Sequence, residues 1–223
     1  MHYFKRANLI LAILVLWFTI GSCRLPKYQH PSNTTTITTS EHLSPTNFGT
    51  KKYTASIHGS YGIKKYSLSG LLILKQLDDS TIRAVFQNEV GLTLFDFEWN
   101  KQYVFKVVSI IPQMNKTPLI LALKKDFEIL MQLQLNATAA QISNHNTTSA
   151  LHYPLARGFV AYEVANKKIQ SIKVYNTGKT YITFTPSTAY EIASLPDEMV
   201  IKHHKAKFTI TLKSLEDYAP ATE

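Results

Sequence analysis

The sequence contains one cysteine in 223 residues, so no disulfide can form within the chain. Acidic side chains are also few, 15 Asp and Glu against 24 Lys and Arg, and none of them precedes Cys23. The apolar stretch at residues 9–20 is shorter than the roughly 20 residues that a membrane-spanning helix needs. These features argue against a disulfide-stabilised fold and against an ordinary membrane span at this stretch.

The N-terminal segment has the layout of a secretory signal peptide. Lys5 and Arg6 precede the apolar residues 9–20, and small residues follow them. Residues 20–23, IGSC, resemble the lipobox of bacterial lipoproteins, in which an aliphatic residue and two small residues precede a cysteine. The resemblance implies a lipoprotein signal peptide at residues 1–22 and an acylated Cys23 (palmitate or a similar chain). An uncleaved membrane anchor with an incidental cysteine and a plain secreted protein are the alternatives.

A tether is predicted to follow the cysteine. Residues 24–50 contain three prolines, the tract NTTTITTS and no hydrophobic periodicity. So few apolar side chains cannot offset the entropy lost on ordering, and we expect residues 23–50 to be a lipidated cysteine and a flexible linker. The net charge of +9 becomes +7 without residues 1–22. Since the lysines are scattered, this charge indicates a solvated surface near anionic lipid and not a nucleic-acid site.

Residues 51–223 are long enough for one domain, and most of them read as β-strands. Strands are predicted at 52–59, 65–77, 81–88, 92–100 and 101–108, and again at 158–166, 168–176, 180–186, 199–204 and 206–214. A helix is predicted between them, from about 118 to 132, because Pro118 suits a first turn and apolar residues recur at helical spacing. A polar loop, NHNTTS, is expected after the helix. The pattern predicts a strongly curved antiparallel sheet wrapped around a helix.

The order of these elements resembles the LolA/LolB-type lipoprotein carriers. The stretches that carry the resemblance are SGLLILKQLDDSTIRAVFQNEVGLTLFDFEW and LPDEMVIKHHKAKFTITLKSLED. The resemblance covers roughly residues 52–216 and rests on the layout of elements. It implies a mainly β fold, an unclosed antiparallel half-barrel around one or more helices.

Such a half-barrel would carry a hydrophobic groove for lipid or for the acyl chains of another lipoprotein. The candidate groove residues are aromatic or aliphatic side chains expected to face inward: Ile82, Phe86, Phe95, Phe97, Trp99, Tyr103, Phe105, Phe208 and Ile210. On the predicted strand that contains Trp99, Asp96 and Glu98 are expected to face solvent. The resemblance also implies an exposed apolar loop that touches the bilayer, and here it falls on Val90 and Leu92. The adjacent Glu89 departs from that pattern.

Enzymatic and metal-binding interpretations find little support. Asp96 and Glu98 share a strand face, where two carboxylates are more often solvated than catalytic. His203 and His204 are consecutive and would point to opposite faces of a strand, so they cannot hold one ion together. His145 and His152 have no cysteine near them. The sequence therefore predicts no enzyme, no metal and no cofactor.

Two functional hypotheses stay open. The first is a lipid-anchored carrier that faces the periplasm from the outer membrane, whose partners are the membrane, acyl chains and a periplasmic carrier protein. The second is a non-enzymatic anchored β-domain that forms a subunit of a cell-envelope assembly. An open apolar groove would favour the carrier, and a closed core with an apolar surface patch would favour the subunit.

Overall fold

The structure, a computed structural model, describes residues 35–36, 43–61, 64–77, 80–133, 135–145, 147–176 and 178–215. Within these ranges the chain forms fourteen strands, one α-helix and a single 3₁₀ turn at Ala137–Ala139. The first six strands are β1 (Thr35–Thr36), β2 (Thr50–Tyr61), β3 (Lys64–Gln76), β4 (Ile82–Asn88), β5 (Thr93–Trp99) and β6 (Phe105–Ile110). Helix α1 (Thr117–Leu130) follows. The remaining strands are β7 (Gln141–His145), β8 (Thr148–Pro154), β9 (Phe159–Ala165), β10 (Lys168–Asn176), β11 (Lys179–Pro186), β12 (Tyr190–Glu191), β13 (Glu198–His203) and β14 (Phe208–Ser214).

The strands form one antiparallel sheet that is not closed. Thirteen of the described strands follow the order β1-β7-β8-β9-β10-β11-β13-β14-β2-β3-β4-β5-β6, and β12 pairs with β10 beside this path. The end strands of the path, β1 and β6, are not paired with each other. This arrangement confirms the predicted open, mainly β fold with its one long helix.

Antiparallel pairing sorts the turns into two groups at opposite ends of the sheet. At the end that we call upper lie the turns β2–β3, β4–β5, β8–β9, β10–β11 and β13–β14. The connection from β6 to α1 also starts there, because the amide of Ile111 donates to the carbonyl of Leu94. At the lower end lie the turns β3–β4, β5–β6, β7–β8 and β9–β10 and the long connection from β11 to β13.

Irregular pairing and one close backbone approach accompany the bending of the sheet. The register shifts between Phe86 and Gln87 and again between Asp96 and Phe97, and such shifts bend a strand and increase its twist. Where β3 passes β4, Gly70 lies against the backbone of Gln87, and any side chain there would overlap it. A sheet curved in this way has a concave face that can enclose a helix.

Helix α1 occupies this concave face. It begins at Thr117 with Pro118 in its first turn, where the missing amide costs no hydrogen bond. It ends at Leu130, close to the predicted end, and two residues later Gln132 takes a positive φ of 57°. Its side chains Leu123, Phe127 and Leu130 belong to the hydrophobic core of the sheet. The helix therefore fills the inside of the half-barrel.

The region predicted as a polar loop is instead part of a hairpin. Strands β7 and β8 pair antiparallel, with Ile142 opposite Leu151, and only the middle of NHNTTS forms the turn. Ser143 and His152 are both buried there, and the hydroxyl oxygen of Ser143 lies 2.8 Å from Nε2 of His152. Ser143 and His152 lie on the face opposite Leu151 and Tyr153, where they satisfy one another, so their burial could not be read from an apolar alternation.

The folded domain begins earlier than the predicted boundary at Lys51. The amide of Leu43 donates to the hydroxyl of Tyr153 at 2.8 Å, and the hydroxyl of Thr46 donates to the carbonyl of Met131 at 2.7 Å. Both Leu43 and Thr46 are buried, so the end of the predicted linker is part of the core. All described elements and all core residues lie after residue 34, and a chain that starts at residue 24 keeps every one of them.

Candidate functional site

A continuous aromatic surface lines the concave face on β4 and β5. Cross-strand pairing places Phe86 opposite Phe95 and Ile82 opposite Trp99, and all four side chains are buried. The rings of Phe95 and Phe97 stack at 4.5 Å between centroids. The inward orientation predicted for Phe95, Phe97 and Trp99 is confirmed, whereas the ligand role of these residues stays a prediction.

The other candidate groove residues lie at different depths. Phe208 and Ile210 on β14 are buried on the same concave face, as expected. Phe105 opens β6 and is half-buried beside Trp99, with 5.2 Å between the ring centroids. Tyr103 was expected within a strand but lies in the β5–β6 turn, with a positive φ of 58°, and packs partly against the core. The sequence could not show this turn, since its alternation runs on through residue 103.

Asp96 is not solvated in the way the alternation predicted. It does lie on the convex face, but it is only 9% exposed. Arg83 covers it from β4, with Nε 3.2 Å from one carboxylate oxygen and a second contact from the guanidinium to the other. The expectation that Asp96 faces solvent was therefore wrong, because a long arginine side chain on the next strand lies over it. Glu98 is half-buried.

Helix α1 is held against the concave face by hydrogen bonds from both sides. The indole nitrogen of Trp99 on β5 donates to Glu128 at 3.0 Å. The hydroxyl of Tyr162 on β9 donates to the carbonyl of Ile129 at 2.8 Å. Between these contacts Phe127 packs against Trp99, with a ring centroid distance of 6.2 Å. These contacts fix the helix across the width of the half-barrel.

The buried pair His203 and Asp126 attaches helix α1 to the sheet at a third point. Nε2 of His203 on β13 lies 2.7 Å from Oδ2 of Asp126 on α1, and their side chains are 3% and 0% exposed. Burial raises the pKa of Asp126, and the hydrogen bond and charge of His203 and then the charge of Lys125 act against that rise. Burial also lowers the pKa of Lys125. His203 in turn stacks on Phe208, with 3.9 Å between the ring centroids.

Little space is left between the helix and the sheet. An apolar cavity of about 10 Å³ lies there, lined by Ala55, Ile57, Leu72, Phe86, Phe95, Leu123, Phe127, Ile210 and Leu212. A cavity of this size is at the lower limit for one water molecule. An acyl chain can enter the concave face only if the helix moves, so in this conformation the helix occupies the predicted groove.

Three tyrosines of the concave face bond to chain segments that cover it, a feature that the sequence analysis missed. The hydroxyl of Tyr53 donates to the carbonyl of Pro196 at 2.8 Å, which holds the β11–β13 connection in place. Tyr153 accepts from Leu43 and Tyr162 donates to the helix, as described above. Burial raises the pKa of Tyr53, Tyr153 and Tyr162, so these groups stay protonated. Tyrosines at inward positions of a strand were the available signal.

The predicted membrane loop is an exposed apolar turn at the upper end. Val90 is 86% exposed and Leu92 is 55% exposed. The side-chain oxygen of Asn88 accepts from the amides of both, at 3.1 and 2.9 Å, which defines the shape of the turn. Glu89 is turned aside, because its carboxylate accepts a hydrogen bond of 2.6 Å from Ser69 on β3. The acidic residue that departs from the family pattern therefore does not cover the apolar turn.

Metal and membrane features can be stated for the described residues only. In those ranges no three side chains of His, Cys, Asp or Glu are grouped to hold a metal ion. His203 is buried and His204 is exposed, in keeping with their opposite faces. No described helix is long and apolar enough to cross a membrane. Cys23 and the signal segment lie outside the described residues.

Comparison with solved structures returns similar domains at low sequence identity. An outer membrane lipoprotein-sorting protein domain from Vibrio parahaemolyticus superposes with a TM-score of 0.44 at 8% identity, over 78% of this chain and 87% of that one. A DUF1329 family protein from Desulfovibrio piger gives 0.40 at 8% identity, over 78% and 87%. A LolA superfamily protein from Nitrosomonas europaea gives 0.36 at 9% identity, over 75% and 84%.

These structures include the LolA type that the sequence resembles. No family model matches the chain, and no curated protein matches it in sequence. All three TM-scores are below 0.5, so these likenesses carry no conclusion about this chain. No ligand or partner of those proteins is carried over to this chain.

Proposed function

We propose that this protein is a membrane-anchored carrier that binds lipid or lipoprotein acyl chains between helix α1 and the concave face of its sheet. In the closed conformation α1 occupies the place of the ligand. Val90 and Leu92 touch the bilayer when the chain is delivered. The setting is the periplasmic side of the outer membrane, and the protein is not an enzyme.

The observation that carries this proposal is the boundary between α1 and the sheet. Every residue around the cavity there is apolar, and Phe86, Phe95 and Phe127 supply its aromatic part. Each methylene that an acyl chain buries contributes about 0.8 kcal/mol, so a chain that replaces the helix contacts can offset much of their loss. The sheet is open at β6, which leaves the helix room to move without breaking a closed barrel.

The test uses the chain from residue 24 onward, in which Trp99 is the only tryptophan. Trp99 is buried and bonded to Glu128 of the helix. A fatty acyl chain that carries bromine quenches tryptophan at short range, so binding under α1 is expected to quench Trp99 emission in solution, without membranes. The measurement is a fluorescence titration against the same acyl chain without bromine.

Replacing a core residue such as Phe97 by aspartate would not be a clean test. Phe97 is fully buried between other rings, and a charge there would unfold the domain. The control is acrylamide, which should not quench buried Trp99 in the absence of lipid. Lipid uptake without bromine quenching would place the ligand away from the concave face, and no uptake at all would end the carrier proposal.

The second candidate is the envelope-assembly subunit, and one observation favours it. The protein's own helix leaves a cavity of only about 10 Å³ on the concave face, as expected for a domain that binds no ligand there. Absence of lipid uptake in the titration, with Trp99 still buried, would lead us to adopt it.

The anchor is a separate part of the proposal. Cys23 supplies the only thiol that could take a thioether-linked diacylglyceryl group. Cys23→Ala is expected to abolish incorporation of radioactive palmitate and to leave an unprocessed precursor. Labelling that persists in this variant would contradict lipidation, and the fold of residues 43–215 does not depend on the result.

A further inference from the structure

Among the described residues, six exposed cationic side chains that have no carboxylate partner lie at the upper end of the sheet. Five of its six connections place an exposed Lys or Arg at or beside the turn. The set, which we call the upper rim, is Lys65, Lys116, Arg157, Lys179, Lys205 and Lys207. Among the residues that the structure describes, none of the six forms an ion pair. The rim therefore presents its positive charge to solvent.

The lower end differs in its charge pattern. There, three lysines are paired with carboxylates: Lys51 with Asp197 at 2.7 Å, Lys213 with Glu198 at 3.3 Å and Lys168 with Glu191 at 3.4 Å. In the described part of the chain the exposed Lys75, Lys101 and Lys167 at this end form no ion pair. In the described turns of the upper end the one carboxylate is Glu89, which is bonded to Ser69. Unpaired cations are therefore more numerous at the described turns of the upper end than at those of the lower end.

The remaining upper connection supplies an apolar group in place of a cation. The β4–β5 turn carries Val90 and Leu92, both strongly exposed. Strand β4 ends opposite Gly70 of β3, so this turn lies along the β2–β3 hairpin, five residues or about 16 Å from Lys65 toward the lower end. That hairpin is joined to the β13–β14 turn by a hydrogen bond of 3.3 Å from the amide of Ser60 to the carbonyl of Lys207. One end of the molecule thus combines unpaired cations with an exposed apolar turn.

We propose that the upper rim is a docking surface for an anionic phospholipid membrane, with its cations on the phosphate-bearing headgroups and the β4–β5 turn inserted between them. Charge attraction and apolar insertion are the two terms that bind a peripheral protein to such a surface. The proposal rests on the membrane contact given above for Val90 and Leu92 and adds the lipid class and the orientation. Nucleic acid would use the cations but would leave the apolar turn in water.

The experiment measures co-sedimentation of residues 24–223 with vesicles, so that neither the apolar N-terminal run nor Cys23 contributes. Binding is expected to phosphatidylcholine vesicles that contain phosphatidylglycerol, and to weaken as salt is added. Lys205→Gln with Lys207→Gln should lower the partition coefficient about fivefold per lysine, about 25-fold for the pair. The matched control, Lys75→Gln with Lys101→Gln, removes the same charge from the lower end and should change binding by less than about twofold.

Each of the following outcomes would overturn the proposal. Equal losses in the two double variants would mean a general attraction of net charge, and equal binding to pure phosphatidylcholine would remove the role of the cations. Displacement by a short DNA duplex at equal phosphate concentration would assign the rim to nucleic acid. If the first variant pair does not keep its near-ultraviolet circular dichroism, Arg157→Gln with Lys179→Gln takes its place. Trp99 quenching is measured without membranes, so failure of the carrier proposal and failure of this one are distinguishable.

Discussion

Replacing His203 by alanine is expected to lower the free energy of unfolding by about 3–5 kcal/mol at neutral pH. The imidazole is the hydrogen-bond partner of Asp126 at 2.7 Å, and among the described residues the other carboxylate oxygen, Oδ1, has none. Without His203 the fully buried carboxylate keeps no partner, and removing one member of a buried pair costs far more than the intact pair contributes. The measurement is urea unfolding followed by Trp99 fluorescence.

The penalty should shrink on acidification, and the sign follows from the pKa of Asp126. Burial raises that pKa in the folded state above its value of about 3.9 in the unfolded chain, and without His203 the hydrogen bond that opposes the rise is lost. Between the two pKa values the folded state binds more protons than the unfolded state. The cost of an ionised Asp126 is therefore present above the folded pKa and is lost as the pH falls through it. The variant should regain stability relative to the wild type at mildly acidic pH.

Two variants control for this result. His204 is the next residue but is exposed and bonded to Thr183, so His204→Ala should change stability by less than about 0.5 kcal/mol. Asp126→Leu with His203→Leu removes both polar groups together and should be less damaging than His203→Ala alone, since no unpaired charge is left. A loss in His203→Ala that is no larger than in His204→Ala would show that the pair does not hold the helix.

Much of the fold could be predicted from residue patterns where alternation and burial agree. On β5 every second residue is aromatic from Phe95 to Trp99. Only one register therefore keeps all three rings out of solvent. The helix could be located because Pro118 and the apolar spacing point to the same start. Local pattern was sufficient in these segments because each contains its own signal.

The failures came where a distant residue changes the environment of a polar one. Asp96 looked solvated, but Arg83 covers it. The stretch NHNTTS looked like a loop, but strands β7 and β8 extend into it, and Ser143 and His152 bond to each other on that hairpin. Nothing in the sequence singled out Asp126, which is buried against His203, 77 positions away. No local pattern contains such pairings, because they depend on which strands the topology brings together.

The site itself could be predicted only in part. The inward aromatic residues were identifiable, but the degree to which α1 fills the concave face was not, because packing of a helix against five or more strands depends on volumes and not on alternation. The upper rim also escaped the sequence analysis. Lys65, Arg157, Lys179 and Lys205 lie far apart in the chain and meet at one end only because consecutive antiparallel strands return to it.

The second large effect is expected at Gly158 in the β8–β9 turn. Its φ is +85°, and a Cβ there would overlap the carbonyl oxygen of Tyr175 on β10. Gly158→Ala therefore adds a collision with a backbone atom to the strain of a left-handed conformation, and relief requires that the β8–β9 turn move away from β10. We expect a loss of about 3 kcal/mol or more in the free energy of unfolding, of which the conformation alone accounts for about 1–2 kcal/mol.

Gly178 in the β10–β11 turn separates the two contributions. Its φ is +76°, but no atom lies within 4 Å of the position that a Cβ would take. Gly178→Ala should therefore show the conformational cost alone, about 1–2 kcal/mol. Urea unfolding of both variants, followed by Trp99 fluorescence, gives the difference between them, which measures how tightly the β8–β9 turn packs over β10. Equal losses of unfolding free energy in the two variants would mean that the turn at Gly158 moves without cost. The close approach to Tyr175 would then contribute nothing to stability.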